Sequence, residues 1–593
     1  MIADTRHHDR LMAVLRASRV FGVLEPAALI DLAEGLEIET VEGGNLILRE
    51  GDIAESMLIV ISGRLRVSRK NPDGTLRLYN EVSPGETVGE AGMILQQKRF
   101  ADVTALRDST IAVLRRGRFE ALLTRHPVAL NRVFAQAVYH QLRHTPQRSE
   151  RRRAHAFVVI PLHHASPAPE VAAGLSTAFS TYGKTLRVDA TIAGNRSPDE
   201  LESEFDFLVY QADSGDSEWA RRACRQADQV IYVAADGEAS SICDIEHKLA
   251  AEPGFPMKRQ HLALLHPASA ARPGDVAAWR AGRDVERVCL LRSGHQNDFS
   301  RLARFLTNRA TGVVLGGGGA RGFAHLGVLR ALEESHIPVD VIGGNSMGAL
   351  IAAQYASGLG LDEIREQTMR FALGGERLTF PVISLLSGRR LERDLQKMFG
   401  DQLIERLWNP YFAAACNLTQ ACTTVQDSGP LWRAVLASNS PAGLLPPVLR
   451  DGDLLVDGAI LDNVPVGAMR GRLGVPLEHR RGSGTIIAVD VDVREPMGVD
   501  PALGRLSVRK TIKGYFFAST ETSPGIGNIL YRAGHIGGLH QRGKTMAMAD
   551  HYLEPPVAGF PLMGYQRAAE IAETGYRYAM KEIARWADPE LSP

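Results

Sequence analysis

The chain has 593 residues, 68 basic against 68 acidic side chains, and 45% apolar residues. This length predicts three or four domains with ordinary hydrophobic cores. Balanced charge excludes a global attraction for nucleic acid, and no apolar run approaches the ~20 residues that a membrane-crossing helix requires.

The first stretch, MIADTRHHDRLMAVLRAS, carries charges throughout and lacks the apolar core and small-residue cleavage site of a secretory signal. Residues 1–20 therefore read as a short leader. From about Gly22 to Leu114 the chain is a series of short β-like stretches punctuated by glycine: LILREGD, SMLIVISGRLRVSRK, TLRLYNEVSPGETVGEAG and ADVTALRDSTIAVL. Strands of about five residues with regular turns predict a small antiparallel β-roll. A helical pattern from Arg116 to about Leu142 completes a domain over 21–144. TPQRSERRRAH, over 145–155, is a basic polar linker, read as a solvated connector sooner than a lipid contact.

Beyond the linker, the runs FVVIPL, DFLVYQ, QVIYVA and HLALLH alternate with helical patterns. Residues 156–295 thus predict a Rossmann-like α/β domain with a parallel sheet. This stretch has neither G-x-x-x-x-G-K-[ST] nor G-x-G-x-x-G, so no chemistry is assigned to it and scaffolding or docking is its expected role. A connector follows over 296–310.

Residues 311–475 hold three motifs in one order: GGGGARG at Gly316–Gly322, GNSMG at Gly344–Gly348 and DGA at Asp457–Ala459. The first follows the apolar run Val313–Leu315 and opens a helical pattern with Phe323, Leu326, Leu329 and Leu332 on one face. The second follows Val339–Ile342 and opens another helical pattern. Gly-x-Ser-x-Gly between strand and helix is a nucleophile elbow, in which Gly344 and Gly348 permit a strained turn that lifts Ser346 clear of the backbone. Attack by a serine produces an oxyanion that needs N–H donors in place. Gly317, Gly318 and Gly319 expose amides without side-chain obstruction, and Arg321 adds positive charge. Gly317–Gly322 also fits the dinucleotide fingerprint G-x-G-x-x-G, but an elbow on the very next strand decides for a hydrolase.

A serine hydroxyl needs a proton acceptor within hydrogen-bond reach, and Asp457 is the candidate, with Gly458 turning the chain beside it. An aspartate is a weak base, so its site must be partly desolvated. Asp462 is the competing carboxylate and reads as structural. His325 falls in the first turns of the helix after the glycine loop and reads as a packing residue rather than a triad member.

These three strings resemble the patatin-like phospholipase family. The resemblance implies a Ser346–Asp457 dyad, an oxyanion loop over Gly317–Gly322 and two-step acyl transfer without calcium. Where the family often has Thr or a small residue before the serine, this chain has Asn345.

GETVGEAGMILQQKRFADVTAL resembles the phosphate-binding cassette of cyclic nucleotide-binding domains. The resemblance implies Glu90 on the ribose hydroxyl and Arg99 on the cyclic phosphate of a bound nucleotide. Phe100 stands where the family has a small residue, and Ala91 where it has a large one. A cassette without ligand, kept as an interaction module, is therefore the alternative. FLVYQADSGDSEWARRACRQADQVIYVA and DFSRLARFLTNRATGVVLGGGGARG resemble the neuropathy target esterase family. That family joins nucleotide-binding modules to a patatin-like domain, and its eukaryotic members have a membrane anchor and several modules. With one module and no anchor, this chain looks like a shorter, bacterial-style relative. The expected fold is thus multidomain: β-roll, Rossmann-like α/β domain and patatin-like α/β hydrolase.

The implied activity is hydrolysis of phospholipid or lysophospholipid esters. A lipid transacylase and a nucleotide-gated hydrolase are the alternatives. Expected cofactors and metals are none. The five cysteines form no C-x-x-C pair, which fits a reduced, cytoplasmic protein with peripheral contact at the inner membrane face. Ser384–Phe399 sets Leu386, Leu391, Leu395, Met398 and Phe399 against four basic residues. That pattern suits either a helix packed on its own core or one lying on anionic lipid. Leu444–Val448 is expected to wall an acyl cleft. Residues 476–593 read as an extension packed on the hydrolase, ending in an amphipathic helix.

Overall fold

The computed structural model describes residues 11–127 apart from 17, 19–20, 23, 71–75 and 96; residues 155–474 apart from 214–216 and 253; and residues 484–492 and 526–586. The leader over 1–10, the helical pattern beyond 127 and nearly all of the basic linker lie outside the described residues. The chain forms two compact units, one of Met1–Ala271 with Val276–Ala303 and one of Arg272–Asp275 with Arg304–Pro593. Among the described residues no helix is long and apolar enough to cross a membrane.

The first unit opens with the predicted roll. It has two four-stranded antiparallel sheets, ordered 37–41, 109–115, 56–62, 87–88 and 46–48, 102–105, 65–70, 76–82. The strand SMLIVIS, Ser56–Ser62, is apolar from Met57 to Ile61 because both its faces are covered. By the two-residue period, Leu58 and Val60 pack with Val67, Val103 and Ile111 between the sheets. Met57, Ile59 and Ile61 face a second cluster that includes Leu29 and Leu32 of helix Pro26–Glu34 and Phe119 and Leu122 of helix Arg116–Arg125.

The second part of this unit is the expected α/β domain. Six strands pair in parallel in the spatial order 185–188, 207–211, 155–161, 229–235, 259–266, 287–292. Roll and α/β domain share a buried ion network. The fully buried Arg107 of the roll places its Nε 2.8 Å from Asp228 and pairs with Glu202. Lys258 Nζ donates to the Ala227 carbonyl at 2.6 Å and to the Leu106 carbonyl of the roll at 3.1 Å. Such charges are tolerated out of water only because each has its partners.

The second unit is built on an eight-stranded sheet. Its strands are β1 (Thr311–Leu315), β2 (Val341–Gly344), β3 (Tyr411–Asn417), β4 (Cys422–Gln426), β5 (Val448–Arg450), β6 (Asp453–Asp457), β7 (Thr485–Val489) and β8 (His551–Leu553). The spatial order is β5-β6-β3-β2-β1-β7-β8, with β4 paired to β3. Strands β3, β2, β1, β7 and β8 run parallel, and β4 and β6 run antiparallel to β3. The segment expected as an added extension is thus part of the sheet itself, through β7 and β8.

Helix α1 (Ala324–Glu334) follows the glycine loop, and α2 (Met347–Ala356) follows the elbow. Helix α2 is apolar on all sides and almost wholly buried, as a helix covered all round must be. Helix α3 (Leu361–Leu373) and helix α4 (Arg389–Phe399) come next. In α4 Leu395 and Phe399 are buried, and Leu391 and Met398 pack against the same core. The apolar face of α4 therefore covers protein, not lipid, while Leu386, expected on the same face, lies before the helix and bridges Leu378. Helices α5 (Leu431–Ser438) and α6 (Ala568–Trp586) complete the frame. Helix α6 lies against α1 so closely that a methyl on Gly327 would sit 1.9 Å from the Ala572 carbonyl oxygen.

Candidate active site

The elbow forms because two strand ends and two glycines meet on one carbonyl. Leu315 and Gly344 are register partners at the ends of β1 and β2. A Cβ on Gly344 would stand 2.2 Å from the Leu315 oxygen, and one on Gly348 would stand 2.1 Å from it. That oxygen accepts the Asn345 amide at 3.0 Å. Between the two glycines Ser346 adopts φ 51°, ψ −124° and caps the N-terminus of α2. A non-glycine residue at positive φ is strained, and here the strain is held by the packing on both sides.

Asn345, fully buried, organises what surrounds the serine. Its Nδ2 donates to Asp457 Oδ1 at 3.2 Å. Its Oδ1 accepts from the Gly458 amide at 3.0 Å and from the Ser438 hydroxyl at 3.0 Å. Ser438 Oγ in turn accepts the Ser346 amide at 2.9 Å. Asn439 Nδ2 donates to the Ser346 carbonyl at 2.9 Å. Asp457, 4% exposed, ends β6 and caps the turn that follows, accepting the Ala459 amide at 3.0 Å. One side chain thus ties the residue next to the serine to the carboxylate and to the end of α5.

The glycine loop lies against the elbow: a methyl on Gly317 would be 3.0 Å from Ser346 Cβ. Its amides have distinct fates. Gly316 N–H donates to the Val489 carbonyl at 2.9 Å, and Gly317 N–H to Asn463 Oδ1 at 3.1 Å. Asn463 Nδ2 donates back to the Gly317 carbonyl at 3.2 Å. Ala320 N–H reaches the Leu562 carbonyl at 2.8 Å, and Arg321 Nε the Phe560 carbonyl at 2.8 Å. The amides of Gly318 and Gly319 make no hydrogen bond within the described residues. Gly322 leaves room for Met347, which would otherwise lie 2.4 Å from its Cβ, and Gly458 leaves room for Asn345 Oδ1 at 2.6 Å.

His325 is fully buried behind this loop, its Nε2 2.8 Å from the Gly316 carbonyl. Burial holds its pKa down at about 4, so the imidazole is neutral and donates through Nε2. Asp462 is raised to about 6 by burial and borders a separate small cavity with Asp490, Arg542 and Tyr552. A larger cavity of about 240 Å³ is lined by Leu391, Trp432, Leu436, Ser440 and Leu445–Leu449. Ser440 also accepts the Asp457 amide through its carbonyl, at 2.9 Å.

In the roll, Glu90 opens the short helix Glu90–Leu95 and Arg99 is buried beside it. Arg99 Nη1 donates to the Gly89 carbonyl at 2.8 Å, and Nη2 donates to the Ser56 carbonyl. Burial lowers the pKa of Arg99, opposed by the Glu90 and Asp52 carboxylates. Phe100 points outward, 58% exposed, with its ring edge-on to Tyr79 at 5.7 Å.

A glycine loop on one parallel strand and a strained serine on the next define a patatin-type α/β unit. Residues 313–470 match the family model for patatin-like phospholipase, 38–126 that for the cyclic nucleotide-binding domain, and 198–284 that for the neuropathy target esterase family P-loop like domain. The chain's domain content and order are those of the neuropathy target esterase-like patatin family. It is 27% identical to neuropathy target esterase sws of Drosophila melanogaster, over 95% of this chain and 45% of that protein. It is 28% identical to lysophospholipase NTE1 of Mycosarcoma maydis, over 95% of this chain and 34% of that one. With patatin-like phospholipase domain-containing protein 7 of Rattus norvegicus it shares 29% identity over 94% and 46%. The chain spans less than half the length of each of these relatives.

Proposed function

We propose that this protein is a serine esterase that hydrolyses acyl esters of phospholipids and lysophospholipids through an acyl-enzyme. The observation that carries the reading is the strained Ser346 against a glycine loop in which the Gly318 and Gly319 amides make no hydrogen bond within the described residues. The relatives named as phospholipase and lysophospholipase supply the substrate class.

Ser346 Oγ attacks the ester carbonyl and passes its proton to Asp457. Negative charge collects on the former carbonyl oxygen, where the Gly318 and Gly319 amides and the N-terminus of α2 favour it. The amide of Gly317 serves differently: held by Asn463, it fixes the loop. The C–O bond to the alcohol breaks, and the leaving oxygen takes the proton from Asp457. Water then attacks the acyl-enzyme with Asp457 again as base, releasing fatty acid and restoring the serine. No step calls for a divalent cation. A transacylase would share every step but the last, with an alcohol in place of water. The expected setting is the cytoplasm, with peripheral contact at a membrane face.

The test is fatty acid release from lysophosphatidylcholine and diacyl phosphatidylcholine, with and without a calcium chelator, and with lysolipid added as acceptor. Ser346→Ala and Asp457→Ala should each abolish release, and the chelator should not change it. Activity that survives Ser346→Ala would end this reading.

A further inference from the structure

The most exposed large apolar side chains among the described residues stand together outside the site. Leu378 and Phe380 are each 83% exposed, Val382 79% and Ile383 72%. Water-exposed side chains of this size normally occur singly, so four within six residues mark a contact surface. They sit on a built hairpin. Leu378 pairs with Leu386 in an antiparallel bridge, Thr379 N–H donates to the Leu385 carbonyl at 3.1 Å, and Ser387 N–H donates to the Arg377 carbonyl at 2.9 Å. Glu376 clamps the base by accepting the Leu391 amide at 2.7 Å and the Ser387 hydroxyl at 2.9 Å.

Two further features say what the tip meets. The first is charge. Residues 376–397 carry five basic against three acidic side chains, and Arg377, Arg389, Arg393 and Lys397 are exposed. An apolar tip ringed by basic groups complements an anionic lipid surface, whose acyl boundary takes the tip while its headgroups meet the ring. The second is position. The returning arm of the hairpin bonds to the cavity wall, with Leu385 N–H on the Gly443 carbonyl at 3.0 Å and Leu386 N–H on the Leu444 carbonyl at 2.9 Å. Ser387 and Gly388, at the hairpin base, line the 240 Å³ cavity together with Leu445 and Pro446. A tip seated in a bilayer would therefore bring that cavity to the lipid surface.

We infer that the 376–387 hairpin is a membrane-docking element that inserts Leu378, Phe380, Val382 and Ile383 into an anionic phospholipid bilayer. The purpose of docking rests on the esterase reading; the docking itself does not.

The two are separable by experiment. The full chain carrying Ser346→Ala is sedimented with phosphatidylcholine vesicles containing phosphatidylglycerol, and with pure phosphatidylcholine vesicles, with and without Phe380→Ser and Ile383→Ser. The tip pair should weaken partitioning to both vesicles at least about tenfold. Arg389→Glu with Arg393→Glu should weaken only the anionic case. In the chain with its serine intact, the tip pair should leave hydrolysis of a water-soluble short-chain ester unchanged and reduce hydrolysis of vesicle lipid. Equal partitioning of the tip pair and its parent would overturn the inference. So would a solution dimer that the tip pair dissociates, because a second copy would then be the occupant. Loss of soluble-ester turnover in the unsubstituted chain would instead defeat the esterase reading and leave docking standing.

Discussion

The elbow of the second unit and the cassette of the roll each set a functional side chain next to glycine and the start of a helix, yet they dispose of their polar groups in opposite ways. Around Ser346 the side chains satisfy one another: Asn345 holds Asp457, the Gly458 amide and Ser438, and Asn463 holds Gly317. Among the described residues the amides of Gly318 and Gly319 are left over. Around Arg99 the reverse holds, because the guanidinium that would meet a phosphate already donates to the Gly89 and Ser56 carbonyls. A motif therefore fixes which groups are close, and the surrounding fold decides which of them is open to a ligand.

The largest effect short of removing the serine or the aspartate should come from Asn345→Ala. It leaves Ser438 and the Gly458 amide without this acceptor and removes one of the donors that position Asp457. Misplacing a base by even an ångström is costly, so kcat/KM on a short-chain ester should fall about a hundredfold. Asn345→Asp puts a second carboxylate beside Asp457 and should do no better. If Asn345→Ala retains full activity, the clamp is structural only. A smaller loss, about tenfold, is expected for Gly317→Ala, whose methyl would meet Asn463 Oδ1 at 2.8 Å and Ser346 Cβ at 3.0 Å. The rate of Ser346 labelling by a fluorophosphonate reads this directly, since that reaction needs the same loop.

How much of this was legible in the chain follows from how far apart the partners are. The apolar runs before GGGGARG and GNSMG became β1 and β2, and the glycines that let the two ends meet on Leu315 were visible as letters. Asn345 was visible too, but only as a departure from the family pattern, because its partner Asp457 lies 112 residues away. Asn463 and Leu562, which hold the glycine loop, had no local signal at all. The periodicity of 384–399 showed an amphipathic helix that the fold keeps only over 389–399, because 384–388 with Leu386 is a hairpin arm. It could not say what covered that helix, since a protein core and a lipid surface ask for the same pattern. The hairpin tip TFPVI has no period, and only its exposure in the fold gives it meaning. The extension after 475 looked separable because strands β7 and β8 are short and distant from β1 in sequence, although they sit beside it in the sheet.

The loop can also be tested through the histidine behind it. His325 titrates at about 4 in the fold against an ordinary 6.5, because burial disfavours the imidazolium. A depressed histidine makes the unfolded chain the better proton acceptor, so stability is full above about pH 6.5 and declines as pH falls towards 4. At about pH 5 the loss from this group should be roughly 2 kcal/mol. His325→Gln, which does not titrate, should remove that share of the acid sensitivity from the thermal unfolding of the second unit. An unchanged pH dependence would mean that His325 is solvated and does not support Gly316.

The smallest expected effect belongs to the roll. Cyclic AMP or cyclic GMP could bind only if Arg99 gave up the Gly89 and Ser56 carbonyls, and each buried acceptor left behind costs about 1–3 kcal/mol. Phe100 does not stand in the way, since it faces outward against Tyr79. The obstacle is thus the competing hydrogen bonds and not a blocked pocket. Titration calorimetry with either nucleotide should give no saturable heat, and ester hydrolysis should change less than about twofold on its addition. Saturable heat that Arg99→Leu abolishes would break the contrast between the two regions. It would show that the cassette opens where the elbow is already open, and would make the roll a regulator of the hydrolase.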